Sequence, residues 1–204
     1  VIGPEGLRRL KTYKTPIFAE DGTLIGTLGI ARDVTREYEY QEQILELART
    51  DELTGVANRR YFQEYVERQR GTQRLTVIGF DLGRFKQVND TYGHEAGDSV
   101  LVRLTQAVRA NLAARYPLLR WGGEEFFVFC PEMTLAEAAA LAEILRRAAR
   151  SVRVEEHVVT ASFGVASNHG ASDTADALCA RVDAALYAAK QGGRDRVVCE
   201  AQDA

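Results

Sequence analysis

The sequence has few of the residues that cross-link, kink or interrupt a chain. Of its 204 residues, three are cysteine, four proline, one methionine and one tryptophan. Three cysteines (Cys130, Cys179 and Cys199) are too few for a disulfide framework, and they lack the spacing of a metal site. Small buried thiols in a reducing, cytoplasmic compartment are therefore expected.

Long apolar runs are also missing. No stretch reaches the length of a membrane span and no signal peptide opens the chain, which predicts no direct membrane contact. The chain opens abruptly at Val1, so we allow for a longer, membrane-tethered protein around it.

The sequence also has no large excess of positive or negative residues. Lys and Arg number 26 against 29 Asp and Glu, a net charge of -3. This balance predicts no nucleic-acid partner, and a phosphate ligand would need a local cluster of cations. A composition of 46% hydrophobic and 27% charged residues is typical of globular proteins, and the length allows one full domain with an appendage.

Two glycines followed by two acids stand at the centre of the chain, at residues 122–125. They separate Leu118 and Leu119 from an apolar run at 126–130, which predicts a tight hairpin with Glu124 and Glu125 at the rim of a sheet. Two neighbouring carboxylates repel each other unless a cation lies between them. Mg²⁺ (or Mn²⁺) is the usual solution, whereas a solvated acidic turn is the alternative for these four residues alone.

The first 50 residues predict a hairpin and a helix. Residues 13–18 and 24–30 have strand character on either side of a turn at Asp21-Gly22. Residues 36–50 contain no Gly or Pro and predict a helix capped by Thr35. The helix carries a short apolar seam at Tyr40, Ile44 and Leu47. This seam fits either a plain amphipathic connector or part of a dimer contact.

The remainder predicts an α+β fold, in which strands and hairpins alternate with amphipathic helices. We expect a turn at Gly55, a helix capped by Asn58, a central strand at 75–82 that delivers Asp81, and a loop around Gly93 and Gly97. Further helices are expected at 98–114, 135–150 and 173–191, a second hairpin at 152–154 and 157–166, and a closing strand at 197–199.

Several short motifs occur together in the order and at the separations of one known family. They are Phe80-Asp81-Leu82, Phe85-Lys86, Asn89-Asp90, Gly93-His94, Gly97-Asp98, Arg120-Trp121-Gly122-Gly123-Glu124-Glu125-Phe126, Thr160-Ala161-Ser162-Phe163-Gly164, and residues 183–187 with Lys190 and Arg194. Over residues 49–200 the chain resembles the GGDEF family of diguanylate cyclases, enzymes of bacterial signal transduction. Residues 16–35, which close with Asp33-Val34-Thr35, resemble the tail of a PAS sensor domain.

The resemblance implies three parts: the end of a PAS-like domain (1–35), a connecting helix (36–50) and a catalytic domain (51–200). For the catalytic domain it implies a palm like that of nucleotidyl cyclases and polymerases, with a central antiparallel sheet of five strands flanked by helices. The implied reaction joins two GTP into cyclic di-GMP and releases two pyrophosphates. Each domain binds one GTP, so a homodimer is implied for turnover.

Site residues are carried over by position. Asp81 and Glu125, with the Leu82 carbonyl nearby, are implied as Mg²⁺ ligands. Glu124 is implied either as a second ligand or as the group that helps remove the 3′-hydroxyl proton. Guanine readers are implied at Asn89 and Asp98, and phosphate contacts at Lys190, Arg194, Phe85 and Lys86.

Simpler roles stay open for several of these residues. Asn89 could be a loop contact, Asp98 a helix N-cap, and Lys190 a complement to a helix dipole. Asp51 and residues 58–60 match the family's opening motif. Their expected role is to fasten the incoming helix to the catalytic domain.

Two positions depart from the family pattern. Gly83 stands where a second Asp is usual, which favours as an alternative a weak or inactive GTP-binding scaffold. Ala113 and Tyr116 replace the Arg-x-x-Asp of the inhibitory product site, so no product inhibition through that site is expected. A cyclase of mixed purine dinucleotides is a further alternative, although an acceptor at Asp98 favours guanine.

Overall fold

A computed structural model describes residues 2–3, 6–69, 74–170 and 173–201. The chain divides into two compact units between Ala48 and Arg49. None of the helices among the described residues is long and apolar enough to cross a membrane.

The first unit consists of short strands, one long hairpin and the start of a helix. Its elements are β1 (Ile2–Gly3), β2 (Gly6–Leu7), β3 (Leu10–Phe18), β4 (Leu24–Asp33) and α1 (Thr35–Arg49), the last of which ends in the second unit. Strands β3 and β4 pair antiparallel across a turn in which Gly22 has a φ of +84°, so the predicted hairpin is confirmed.

Helix α1 begins where it was predicted, but its first turn is capped differently. Thr35 is the first helical residue, and the Asp33 carboxylate accepts its backbone N–H at 3.0 Å and its hydroxyl at 2.6 Å. These bonds lower the pKa of Asp33. The prediction of Thr35 as the cap was wrong because the acid two residues earlier is the better acceptor.

A six-stranded sheet forms the centre of the second unit. In sequence its strands are β5 (Ala57–Asn58), β6 (Leu75–Leu82), β7 (Leu118–Gly122), β8 (Glu125–Pro131), β11 (Ala161–Ser167) and β12 (Val197–Cys199). Their order across the sheet is β12-β11-β6-β8-β7-β5. The four inner strands are antiparallel as predicted, and the two short edge strands pair parallel with their neighbours. The α+β prediction is confirmed, with a mixed sheet of six strands in place of an antiparallel sheet of five.

The second hairpin predicted at 152–166 proves to be two separate features. Strands β9 (Arg153–Val154) and β10 (His157–Val158) form a small hairpin of their own, and β11 lies in the main sheet beside β6.

Five helices accompany the sheet: α2 (Arg59–Gln69), α3 (Phe85–Tyr92), α4 (His94–Arg109), α5 (Leu135–Ala149) and α6 (Ala175–Gln191). Residues 85–97 are therefore not the predicted loop. Gly93, with a φ of +84°, ends α3 and leads directly into α4. Asp98 lies inside α4 rather than at its cap, because the helix begins four residues earlier than its apolar spacing indicated.

The alternation of side chains along the central strands builds a core on each side of the sheet. Ile78 and Phe80 face one cluster together with Leu104 of α4 and Leu145 of α5. On the other face Val77, Phe127 and Phe129 pack against Phe62 of α2 and Val182 of α6.

Two glycines let α6 lie directly on the sheet. Gly79 of β6 and Gly164 of β11 are cross-strand partners. A Cβ at Gly164 would lie 2.4 Å from the Leu186 backbone nitrogen, and one at Gly79 would lie 2.5 Å from Cγ1 of Val182. This close approach carries the last turn of α6 over the end of β6, where Asp81 lies.

Candidate active site

The acidic hairpin predicted from the two glycines is confirmed. It joins β7 to β8 through a turn in which Gly123 has a φ of +51°, a conformation that suits glycine. The Arg120 Nε donates to the Gly123 carbonyl at 2.9 Å, and its Nη1 contacts the Asp51 carboxylate oxygens at 3.1 and 3.2 Å. Arg120 thus ties the turn to the segment that follows α1.

Asp51 is held as an anion by these contacts. Burial by itself would raise its pKa, but hydrogen bonds from Thr54 and Arg120 lower the pKa below its usual value. Asn58 caps α2 as predicted, with its Oδ1 accepting from the backbone N–H of Arg60 at 3.0 Å. Its amide also donates to the Thr50 carbonyl at 3.2 Å, next to the end of α1.

Three predicted acids meet at the ends of β6 and β8. Asp81 and Glu125 are direct cross-strand partners, and the Leu82 N–H donates to the Glu124 carbonyl at 3.3 Å. Asp81 is only 8% exposed although it is charged. Like charges placed directly opposite each other destabilise a sheet, so this cluster requires a nearby cation.

Lys190, in the last turn of α6, supplies positive charge to the cluster. Its Nζ lies 2.9 Å from Oδ2 of Asp81. Burial raises the pKa of Asp81, and the bonded Lys190 opposes that rise. Burial and the charge of Asp81 also raise the pKa of Glu124 and Glu125, again opposed by Lys190.

Sequence reasoning missed a fourth acid of this group. Burial raises the pKa of Asp183, the charge of Lys190 opposes the rise, and Asp183 in turn raises the pKa of Glu125. It precedes Lys190 by seven residues, two helical turns along the same face of α6. That spacing is the signal that could have revealed it.

Arg194 is placed at the site by a strained turn. It has a φ of +61° and Asp195 a φ of +45°, both uncommon for residues other than glycine. Asp195 is anchored by Arg146 and Arg150, each 2.8 Å from one of its carboxylate oxygens. This anchoring stabilises the turn, and the charge of Arg194 joins that of Lys190 in opposing the rise that burial causes in the pKa of Asp81.

The start of α3 forms the wall next to the acids. Arg84 precedes the helix with a φ of +59°, Phe85 is buried, and Lys86 is exposed. A cavity of about 370 Å³ lies beside this turn and is lined by Leu82, Phe85 and Arg194, among other residues. The structure therefore brings the predicted phosphate residues Phe85 and Arg194 to one cavity.

The predicted guanine readers lie on the neighbouring helices α3 and α4. The Oδ1 of Asn89 is buried, and a Cβ on Gly97 would come within 1.9 Å of it, so a larger residue there would displace this amide. Asp98 follows directly and is exposed. In the described part of the chain, no hydrogen bond or ion pair joins Asn89 or Asp98 to the acids.

Gly83, the departure from the family pattern, is packed tightly. Its N–H donates to the Thr160 carbonyl at 2.7 Å. A Cβ there would lie 2.7 Å from Oγ1 of Thr160, so an aspartate would require Thr160 to move. At the second departure, Ala113 and Tyr116 line a separate cavity of about 400 Å³.

The acid cluster fits a divalent cation bound jointly with a nucleotide. No three His, Cys, Asp or Glu side chains in the described part of the chain are grouped closely enough to hold a metal by themselves. Mg²⁺ is usually held by one or two carboxylates together with substrate phosphates, so a full protein cage is not required. The buried Asp81 and the half-buried Glu125, with one lysine beside them, are a donor set of that type.

Comparisons with known proteins identify the family to which this fold belongs. A curated relative, diguanylate cyclase DgcM of Escherichia coli, is 36% identical over 197 residues, which cover 94% of this chain and 47% of that protein. The chain thus spans about half the length of this relative. The crystal structure of the coiled coil and GGDEF domain of DgcB from Caulobacter crescentus, in complex with c-di-GMP, matches with a TM-score of 0.73 at 29% identity. It covers 81% of this chain and 93% of that one.

A second solved structure, the active GGEEF domain of a diguanylate cyclase from Vibrio cholerae, has a TM-score of 0.65 at 29% identity. It covers 72% of this chain and 99% of that one. The family described as "Diguanylate cyclase, GGDEF domain" matches residues 48–196, most of the second unit. On this match, and on the fold that carries it, the chain belongs to the GGDEF family of diguanylate cyclases.

Proposed function

We propose that this chain condenses two GTP into cyclic di-GMP with release of two pyrophosphates. One observation carries the proposal: the ends of β6 and β8 present Asp81, Glu124 and Glu125 together, and α6 adds a lysine to the same cluster. In such a cluster the carboxylates can bind the metal ion of a metal-bound triphosphate, and the lysine can bind its phosphates. The names of the relatives support the same reaction.

Each predicted residue has a distinct task in this proposal. Asp81 and Glu125 hold Mg²⁺ (or Mn²⁺), with the Leu82 carbonyl nearby, and the bound cation supplies positive charge that stabilises the reacting phosphates. Glu124 either shares in that binding or helps to remove the proton of the 3′-hydroxyl.

The substrate is oriented by the remaining residues. Lys190 and Arg194 bind the triphosphate, aided by Lys86 and by the backbone at Phe85. Asn89 and Asp98 read guanine, since a carboxylate accepts from the N1 and N2 donors that adenine lacks.

Turnover in this proposal requires two chains. A domain with one GTP has no second nucleotide to supply the attacking 3′-hydroxyl, so the rate depends on how often two domains face each other. Product formation should therefore rise more steeply than in proportion to protein concentration. A rate strictly proportional to concentration, from a chain shown to be monomeric, would contradict the requirement.

The direct test is to incubate the chain with Mg²⁺ and GTP, and separately with GTP and ATP, and to identify the product by mass. Glu125→Gln should reduce the rate by at least 100-fold. Glu132→Gln, the same change at an exposed acid just beyond the far end of β8, should leave the rate unchanged. A mixed purine product would show that the second nucleotide is not restricted to GTP. GTP binding without any product would instead favour the inactive scaffold, the alternative that Gly83 supports.

Regulation is proposed to act through the first unit and α1. The hairpin of β3 and β4 and the motif resemblance support a PAS-like tail there. Tyr40, Ile44 and Leu47 of α1 are 64%, 64% and 76% exposed, as a contact with a second copy would require. In this proposal α1 sets how often two catalytic domains meet.

Two further properties are proposed. The absence of a charged pair at Ala113 and Tyr116 predicts no product inhibition through that position. A cyclic di-GMP titration that gave tight, non-competitive inhibition would contradict this. A cytoplasmic location is proposed because all three cysteines are free and GTP is an intracellular substrate.

A further inference from the structure

Ser162 places a buried hydroxyl beside the acid cluster. It lies in β11 and is 1% exposed, and its Oγ makes no hydrogen bond among the described residues. In the strand register it is the direct partner of Asp81, on the side opposite Glu125. Side chains of direct partners point to the same face with Cβ atoms about 5 Å apart. At this separation, rotation of the two side chains can bring the hydroxyl to the Asp81 carboxylate.

An unpaired buried hydroxyl costs stability, and alanine would fill nearly the same space without that cost. In the described part of the chain, only two other buried side-chain nitrogen or oxygen atoms lack a hydrogen-bond partner. They are Nε of Arg49 and Oδ1 of Asn89. Asn89 is a proposed substrate contact, so its unpaired atom has a prospective partner. The hydroxyl of Ser162 requires an equivalent partner.

The Asp81 carboxylate can change partners. Lys190 donates to its Oδ2 at 2.9 Å. In the proposed function, on which this inference rests, Lys190 turns to the triphosphate. Asp81 then loses its donor at the moment when its orientation matters most.

We propose that Ser162 is a positioning residue that replaces Lys190 on Asp81 when nucleotide binds. Its Oγ–H donates to one oxygen of the Asp81 carboxylate and fixes the side-chain rotamer, which leaves the other oxygen directed at the cation. Groups that orient a metal ligand in this way typically change metal affinity by about 10-fold to 100-fold when they are removed.

The chain offers a matched control on the same strand. Ser167, at the other end of β11, has its hydroxyl 2.7 Å from Oγ1 of Thr76, far from the acids along the strand. Ser162→Ala and Ser167→Ala make the same chemical change in the same element, once without and once with an existing hydrogen bond.

The experiment measures Mn²⁺ binding by electron paramagnetic resonance, with and without a non-reactive α,β-methylene analogue of GTP, and thermal unfolding without ligand. With the analogue, Ser162→Ala should weaken Mn²⁺ binding by about 10-fold or more, and Ser167→Ala should leave it unchanged. Without ligand, Ser162→Ala should unfold at the wild-type temperature or above, whereas Ser167→Ala should unfold below it.

Several results would overturn the assignment. They are an unchanged Mn²⁺ affinity in Ser162→Ala, an equal loss in both variants, or a loss in Ser162→Ala that is accompanied by a matching loss of ligand-free stability. If the wild-type chain with the analogue bound no Mn²⁺, the proposed function itself would fail, and Ser162 would lose its role with it. The two failures are therefore distinguishable.

Discussion

The contact between α6 and the sheet predicts a large effect from a single methyl group remote from the reacting atoms. Gly164→Ala would place a Cβ 2.4 Å from the Leu186 nitrogen and 2.5 Å from the Val182 carbonyl oxygen. Both are backbone atoms, so no side-chain rotation can relieve the contact. The helix must move away from β11 by about 1 Å to restore an ordinary contact.

The expected loss has two parts. Overpacking of this kind costs about 1–3 kcal/mol, and in a chain of this size each kcal/mol lowers the unfolding temperature by about 2–4 °C. The same shift moves Lys190, in the last turn of the helix, away from Asp81. A displacement of about 1 Å can reduce a rate by about 100-fold, so the cyclase rate should fall much further than the stability.

Gly79→Ala is the matched control on the neighbouring strand. Its new Cβ would meet Cγ1 of Val182 at 2.5 Å, a side-chain atom that Val182→Ala removes. In double-mutant cycles of unfolding free energy, Val182→Ala should therefore offset Gly79→Ala but leave the cost of Gly164→Ala in place. Equal rescue of both variants, or a Gly164→Ala protein with wild-type stability and rate, would refute the reasoning.

Three other predictions follow from the site and from α1. Burial and the charge of Asp81 raise the pKa of Glu125 above its ordinary 4.5, so the free energy of unfolding should fall as the pH rises above 4.5. In thermal unfolding, Glu125→Gln should therefore unfold at a higher temperature than wild type at pH 7 but not at pH 4. Gly83→Asp should lower the unfolding temperature because of the Thr160 contact, and Thr160→Ala should restore most of the loss; an additive pair of losses would contradict this. Charged residues at Ile44 and Leu47 should reduce cyclase activity without weakening GTP binding, and unchanged turnover would exclude a role for the seam.

Much of the fold could be predicted from residue patterns. The hairpin of β7 and β8 followed from two glycines between apolar runs, and the central strand β6 from an unbroken apolar stretch. Helices α2, α5 and α6 followed from apolar spacing, and α2 also from Asn58 as its cap. A capping box at Thr134 begins α5. In each case the local sequence pattern and the tertiary packing favour the same secondary structure.

The patterns failed where a local signal had two interpretations. The loop predicted around Gly93 and Gly97 is wrong, since Gly93 is a single sharp junction between two helices and Gly97 lies beside Asn89 inside α4. The edge strand β5 was not predicted because its two residues are too few to show a period, whereas the predicted closing strand at 197–199 is confirmed as β12.

The candidate site shows the same division between local and long-range information. The resemblance supplied Asp81, Glu125 and Lys190, but not that a lysine 109 positions later in the sequence would lie 2.9 Å from Asp81. That contact depends on Gly79 and Gly164, two residues without side chains, and on the length of α6. Because the helix rests on bare backbone, the position of Lys190 is set by the sheet itself and not by an adaptable layer of side chains. The position of Lys190 is therefore sensitive to a single methyl group added beneath the helix, and Gly79→Ala and Gly164→Ala measure this sensitivity.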